Sequence, residues 1–551
     1  VLKSLRGGEL AGLPPYEPAS VFRAADRAGD ATAPWSWAVA AGLVVAICLA
    51  PLLVVEVPSV LDYPNHLARF FILAHPGDPL LGQMYAPRWA ILPNLGMDVL
   101  GGALLSVVPP HVGGRMLLAV SLLAPLAGTA LYARAAFGRW TWWSLGAGAI
   151  AYNGVFILGF MNFLLGLGVA LAGAAAWRVC RRSERRRVPT ALVGALASLA
   201  AFLCHLLGFA FFAVLVAAQE AEALLRLRGD GQLDWRRALA SGGRLAAALG
   251  PTVALYLISQ RPTEGGDWLW CWAAKDLQWM TPFMAYDRGV TMATAIVVCS
   301  MTVLVWRRAR RAGGVGLAFA LLGGAFVLAP FAAAGGTFVD TRFPLMAVLL
   351  LFAGLQPQLS RRTAVMVGLV FVLLIVGRSA HVAANWQGRA RDLADLRASL
   401  ASVEPGAKIL PARADWPLNP PPRDGRILPN VASLDEHLGA LAVIEQRAFW
   451  PLLFADPRQQ PLRVKPPYDR IAQPSNPATA PWRYLGDDRA LARRTGRFAW
   501  LADWRAHFDY VLLMGPKAPP GFTPRGLELV RAGETASLYR IIRGPLTGPR
   551  R

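Results

Sequence analysis

Charge is scarce in this chain, and negative charge scarcer still. Only 16% of the 551 residues are Asp, Glu, Lys or Arg, and 34 acidic residues stand against 56 basic ones. A soluble domain carries about 25% charged residues, so an ordinary water-facing surface is excluded. Cysteine is sparse too: Cys48, Cys180, Cys204, Cys271 and Cys299. No two form a CxxC pair and most fall in or beside apolar runs, which argues against a disulfide framework and against a zinc site. Internal repeats are missing, and so is the alternating ten-residue pattern of a membrane β-barrel.

What the chain has instead is apolar length. Hydrophobic residues make up 55% of it. Runs of about 17–25 apolar residues recur through the first two thirds, each able to span a hydrocarbon core of roughly 30 Å. Lipid offers a backbone no hydrogen-bond partner, so these runs are expected to be helices. The expected fold class is a mainly α polytopic membrane protein. A net charge of +22 invites a nucleic-acid reading. The arginines, however, cluster between apolar runs, as in cytoplasmic loops. The expected partner is therefore the bilayer, not nucleic acid.

Charge bias then orders the spans. Residues 1–33 read as a cytoplasmic N-terminal tail, with no cleavable signal ahead of the first span, Trp35 to Val55. A first outer loop, 56–112, contains an apolar segment, Asn94 to Val108, that reads as an interfacial helix interrupted by Asp98. A span from Gly113 to Ala135 returns inward. Trp142 to Trp177 is too long for one helix and is expected to break at Asn153-Gly154 and at Gly159 to Asn162. Thr190 to Leu227 as a single span would strand Arg226, Arg228, Arg236 and Arg237 outside. It is therefore read as a hairpin with His205 at its outer tip. Continuing this way gives about 11 transmembrane helices over 34–383, with a small extracytoplasmic α/β domain over 384–551. That domain is expected to contain a helix at Leu434 to Trp450 with Ser433 as N-cap, a strand at Tyr510 to Met514, and a terminal hairpin around Gly533.

The chemistry gathers in Val57 to Arg69. Asp62, His66 and Arg69 lie four and three residues apart, on one face of a helix, just past a predicted membrane exit. Ionisable groups are costly there and invite a functional reading. Asp62 is the candidate catalytic base. Its bland alternative is a helix cap; Pro64 argues against a capping box from Ser59, but a helix starting at Tyr63 leaves the cap open. His66, Arg69, His205 and Arg342 are candidate substrate- or phosphate-binding groups. For His66 and Arg69 the alternative is an ion pair with Asp62; for His205 it is a histidine satisfied by helix carbonyls, and for Arg342 a snorkelling arginine. Tyr63, Asn162 and Trp268 are possible substrate contacts. For Trp268, with Trp270, Trp272 and Trp279, an aromatic belt competes; for Asn153 and Asn162, satisfaction of broken-helix backbone does.

Asp62 near the start of a long first outer loop, an interfacial helix within that loop, short broken spans and an extracytoplasmic C-terminal domain resemble the GT-C superfamily of membrane glycosyltransferases. Protein O-mannosyltransferases and the bacterial aminoarabinose transferase are similar in layout. The resemblance implies transfer of a sugar from a polyprenyl-phosphate-linked donor, with inversion, on the periplasmic side of a bacterial inner membrane. It places Asp62 at the first-loop catalytic aspartate, and Arg342 where that fold holds the lipid phosphate. Three departures stand out. Tyr63 follows Asp62 where many relatives have an acidic pair. Asn153 and Asn162 stand where a second outer acidic residue is common. No DxD-type metal motif is visible, so no metal or other cofactor is expected. A non-catalytic scaffold or assembly subunit, with a protein partner at the C-terminal domain, is the alternative, and a transporter or lipid flippase is a third reading.

Overall fold

The computed structural model describes residues 34–182, 187–259, 268–333, 335–414, 427–428, 433–475, 478–487, 491, 496–515 and 522–543. The expected tail, 1–33, lies outside them. The membrane part consists of α1 (Pro34–Leu53), α2 (Tyr63–Ala74), α3 (Gly96–Leu105), α4 (Pro110–Phe137), α5 (Gly154–Leu158), α6 (Met161–Arg181), α7 (Arg187–Cys204), α8 (Leu206–Gly229), α9 (Trp235–Ile258), α10 (Arg288–Trp306), α11 (Val315–Leu328), α12 (Arg342–Gly354) and α13 (Arg361–Gly388), with α14 (Ala390–Leu400) continuing the last. Among the described residues six helices are long and apolar enough to cross a membrane: α1, α4, α6, α8, α10 and the α13–α14 rod. Helices α3, α11 and α12 and most of α7 are apolar but shorter. The expectation of about 11 spans counts most of these as crossings too.

Long apolar stretches break where Asn, Gly and His interrupt them. Asn153 caps α5, its side chain accepting from Phe156 N at 3.1 Å. Gly159 ends α5 in the left-handed region, φ +92°. Between α7 and α8 His205 alone is extended, and its Nδ1 accepts from Leu207 N at 3.0 Å. Backbone freed by such breaks must find partners inside lipid. Buried Arg378 of α13 supplies them: it donates to Phe283 O at 2.8 Å, Tyr152 O at 2.6 Å and Met284 O at 3.1 Å.

Helices approach closely through small residues, as membrane packing favours. A Cβ on Gly128 of α4 would sit 2.6 Å from Gly168 O of α6. One on Gly208 of α8 would sit 3.0 Å from Gly166 Cα.

The C-terminal region holds a five-stranded sheet in the order Ala480–Pro481, Ile409–Arg413, Tyr510–Met514, Ala536–Ile541, Leu527–Arg531. The first three strands run parallel and the last two form an antiparallel hairpin. Asp395 of α14 secures that hairpin, accepting from Thr535 N at 2.8 Å and from Arg531 Nη2 at 2.7 Å. The rod α13–α14 thus ends packed against the sheet. The helix expected at Leu434 to Trp450 is absent. In its place are single turns at Leu438–Leu441 and Ala442–Glu445. Ser433 does not cap them; its hydroxyl accepts from Arg413 Nη2 at 2.6 Å.

This region is laid on the segment between α1 and α4. Tyr85–Pro87 pairs antiparallel with Leu462–Val464. Arg447 bonds Asp78 at 3.0 Å. Arg397 bridges Glu56 of the loop, at 2.7 Å, and Glu445, at 2.8 Å.

Candidate active site

Asp62 is the N-cap residue of α2, yet its carboxylate makes no capping hydrogen bond. What holds it is backbone: Leu61 N donates to Ile157 O at 2.9 Å and Asp62 N to Leu158 O at 3.1 Å. The turn at Gly159 brings α5 up against it. A Cβ at Gly159 would lie 2.9 Å from both Asp62 N and Asp62 Cβ. Only glycine combines that left-handed turn with that closeness. Relieved of a capping duty, the carboxylate faces a cavity of about 340 Å³.

His66, Asn162, His205 and Arg342 line the same cavity. Arg342, the first residue of α12, lies with its guanidinium carbon 4.6 Å from the Phe160 ring centre and 5.7 Å from that of Phe163. Its Nε is buried without a partner. Among the described residues Arg342 has no ion pair. His205 packs edge-on against Phe163 at 5.3 Å. With Nδ1 accepting from Leu207 N, the proton of its neutral ring is assigned to Nε2.

Three predicted residues are not among those lining the cavity. Arg69 is fully buried and paired with Asp98 of α3 at 2.5 Å, not with Asp62. Tyr63 is buried against Gly114, its hydroxyl unpartnered. Trp268 is 64% exposed and stacks on Trp270 at 6.0 Å. Asn162 does line it, but both ends of its amide are already engaged. Its Oδ1 accepts from Met97 N at 2.6 Å and its Nδ2 donates to Asn94 O at 3.0 Å. The bland reading, broken backbone satisfied by an amide, describes these bonds.

The C-terminal region supplies what the sequence reading missed. Glu436 and His437 line the cavity together with Asp62. His437 Nε2 stands 3.4 Å from Asp62 Oδ1. Its Nδ1 is 2.9 Å from Asn65 Nδ2. The Asn65 amide is oriented by backbone: Nδ2 also donates to Leu452 O at 3.0 Å, and Oδ1 accepts from Phe454 N at 3.1 Å. Nδ1 of His437 is therefore the acceptor and Nε2 carries the proton, with Asp62 Oδ1 3.4 Å away. Phe454 packs edge-on against both His66, at 5.4 Å, and His437, at 5.1 Å. The titratable run Asp435-Glu436-His437, inside a proline-rich stretch, was the available signal.

Burial sets the protonation states. The Asp62 side chain is 15% exposed. Burial pushes its carboxyl up to about 8, the neighbouring Glu436 carboxylate adds to the rise, and Arg342 and Arg69 oppose it. Burial lowers His437 to about 4, helped by the charge on Arg413, so the imidazole is neutral at pH 7. Among the described residues no three His, Cys, Asp or Glu side chains are grouped so as to hold a metal ion.

No protein-family model matches the chain, and no curated protein sequence matches it. A search of solved structures finds it similar to the crystal structure of ArnT from Cupriavidus metallidurans bound to undecaprenyl phosphate. The two share 11% sequence identity over 94% of this chain and 100% of that one, with a TM-score of 0.45.

Proposed function

We propose that this chain is a membrane glycosyltransferase. It moves a sugar from a polyprenyl-phosphate-linked donor to an acceptor hydroxyl or amine in the cavity beside Asp62. The observation that carries the reading is the polarity of that cavity. A carboxylate with no structural duty stands at one wall, and an arginine with no ion pair at another.

The two ends suit the two halves of the reaction. Asp62 takes the acceptor proton while the acceptor oxygen or nitrogen bonds to the anomeric carbon. The bond from that carbon to the phosphate oxygen breaks, and its electron pair leaves on the lipid phosphate. Arg342 and the Nε2–H of His205 meet that developing charge. A water-poor site strengthens such fixed donors. One base and no covalent partner imply inversion, by analogy with one-step glycosidases. A carboxyl poised near 8 is close to the working pH, where general bases are most effective. His437 is a positioning residue: its Nε2–H engages one carboxyl oxygen and leaves the other for the acceptor. In this proposal the cavity faces the periplasm, residues 34–383 form the membrane part, and 384–551 form a periplasmic domain.

The test uses purified protein and a labelled polyprenyl-phosphate sugar. Asp62→Asn is expected to lower transfer by about 10²–10⁴-fold while leaving donor binding intact. If the purified protein transfers no sugar, and the envelope phenotype survives Asp62→Asn and is lost only when the C-terminal region is removed, the chain is a scaffold instead.

A further inference from the structure

A second cavity, of about 530 Å³, lies at the other end of α12. Arg342 opens that 13-residue helix, and Gln356, two residues past its end, lines the second cavity. The two sites are therefore separated by roughly 20 Å, at 1.5 Å per residue. That is most of the hydrocarbon thickness. The second cavity belongs to the opposite membrane face, the one bearing the arginine clusters.

Its lining is basic and apolar. Arg139 and Arg361 line it with Gln356 and Gln358, and no acidic side chain does. With the Gln356 amide oriented to satisfy both its ends, its oxygen accepts from Arg139 Nε at 2.7 Å and Nη2 at 2.9 Å. The guanidinium is thus fixed in place by a neutral partner, with its charge left uncompensated. Among the described residues neither Arg139 nor Arg361 has an ion pair. The short strand bearing Gln356 pairs with Ala309–Arg311, placing Arg310 opposite Gln356. Trp140, Trp142 and the α13 residues Ala364, Val365 and Gly368 supply the apolar lining. Val365 is 64% exposed, so the cavity opens onto the lipid-facing side of α13. Trp140 is held by stacking on Trp37 at 4.2 Å.

We propose that this cavity is a binding site for an anionic phospholipid of that leaflet, its phosphate on Arg139 and Arg361 and its upper acyl chain against Trp142 and Val365. A fixed, uncompensated guanidinium suits a phosphate oxygen pair. An apolar wall continuous with the bilayer suits an acyl chain and gives a free phosphate ion nothing. The site does not depend on the glycosyltransferase reading.

The test is native mass spectrometry of the full-length protein in detergent, titrated with phosphatidylglycerol, phosphatidylcholine and inorganic phosphate. Phosphatidylglycerol is expected to be retained at least about tenfold better than phosphatidylcholine, with no displacement by equimolar inorganic phosphate. The double change R139Q/R361Q is expected to erase that preference, and R342Q, at the first cavity, to leave it. Equal retention of the two lipids by the unaltered protein overturns the proposal without any variant. So does a preference that survives in a double variant of unchanged elution, or displacement by inorganic phosphate, which would mark a free-anion site. Should the double variant aggregate, R361Q alone, at an exposed position, must lower the preference at least about threefold.

Discussion

Asn65 donates to His437 Nδ1 at 2.9 Å, and by doing so decides which imidazole nitrogen presents a proton to Asp62. Asn65→Leu is expected to release the tautomer, and His437→Phe to remove the donor altogether. Each should lower kcat by about a hundredfold, the lower end of the range for proton-transfer assistance, with KM for the donor nearly unchanged. A merely structural contact would not move the pH profile, whereas loss of the Nε2–H should raise the Asp62 limb above 8. Initial rates from pH 6 to 10 check this.

Asp62 itself should behave as a functional group held at the expense of stability. Its carboxyl is raised from the ordinary 3.8 to about 8 in the folded chain. The unfolded chain therefore loses this proton first. The stability carried by the protonated form is complete below about 3.8 and is lost as pH rises toward 8. Asp62→Asn, which cannot ionise, should melt at a higher temperature than the parent. The gap should widen from pH 4 to 8 and stay constant above. Transfer should fall by about 10²–10⁴-fold.

At the opposite wall, Arg342→Gln should weaken capture of polyprenyl phosphate and slow transfer by about 10²–10³-fold, the loss seen when a fixed donor to developing charge is removed. Lipid-phosphate binding measured separately from turnover distinguishes the two contributions. Arg342→Lys should recover only part, because a point charge does not replace the planar fork.

Arg69 carries a different kind of prediction. Its partner is Asp98, and both side chains are fully buried. Removing one charge strands the other, at a cost of about 3–5 kcal/mol. Arg69→Met should therefore sharply lower thermal stability, while Arg69→Met with Asp98→Leu should recover most of it. Activity of the double variant, if folded, should be close to the parent's.

Gly159 joins fold and site. Any side chain there meets a left-handed backbone, costing about 1–2 kcal/mol, and also the backbone of Asp62. Gly159→Ala should lower the melting temperature and displace Asp62, so that kcat falls while donor affinity changes little.

Much of the membrane part could be read from order along the chain. Arginines on one side forced the hairpin at His205, and Asn153 and Gly159 announced the broken helices, because both signals are local. Arg69 shows where locality ends: Asp98 was noticed as an interruption of α3, but nothing in the sequence matched it to a residue 29 positions earlier. The error at Leu434 to Trp450 has a similar cause. Apolar residues there are buried from several sides, by loop and sheet together, so their spacing imitates a helix. Glu436 and His437 were hidden inside that misread segment. Tyr510 to Met514, buried on both faces as an inner strand, was plain because an unbroken apolar run flanked by polar residues has few other uses.

The strand pair Tyr85–Pro87 with Leu462–Val464 joins parts of the chain that leave the ribosome far apart in time. When residue 400 has been made, the nascent protein already owns its carboxylate and its arginine, yet lacks the imidazole beside that carboxylate and the C-terminal segment that helps to line the cavity. Such a chain would sit in the bilayer as an inert intermediate, switched on only when its last third arrives and zips onto the first loop.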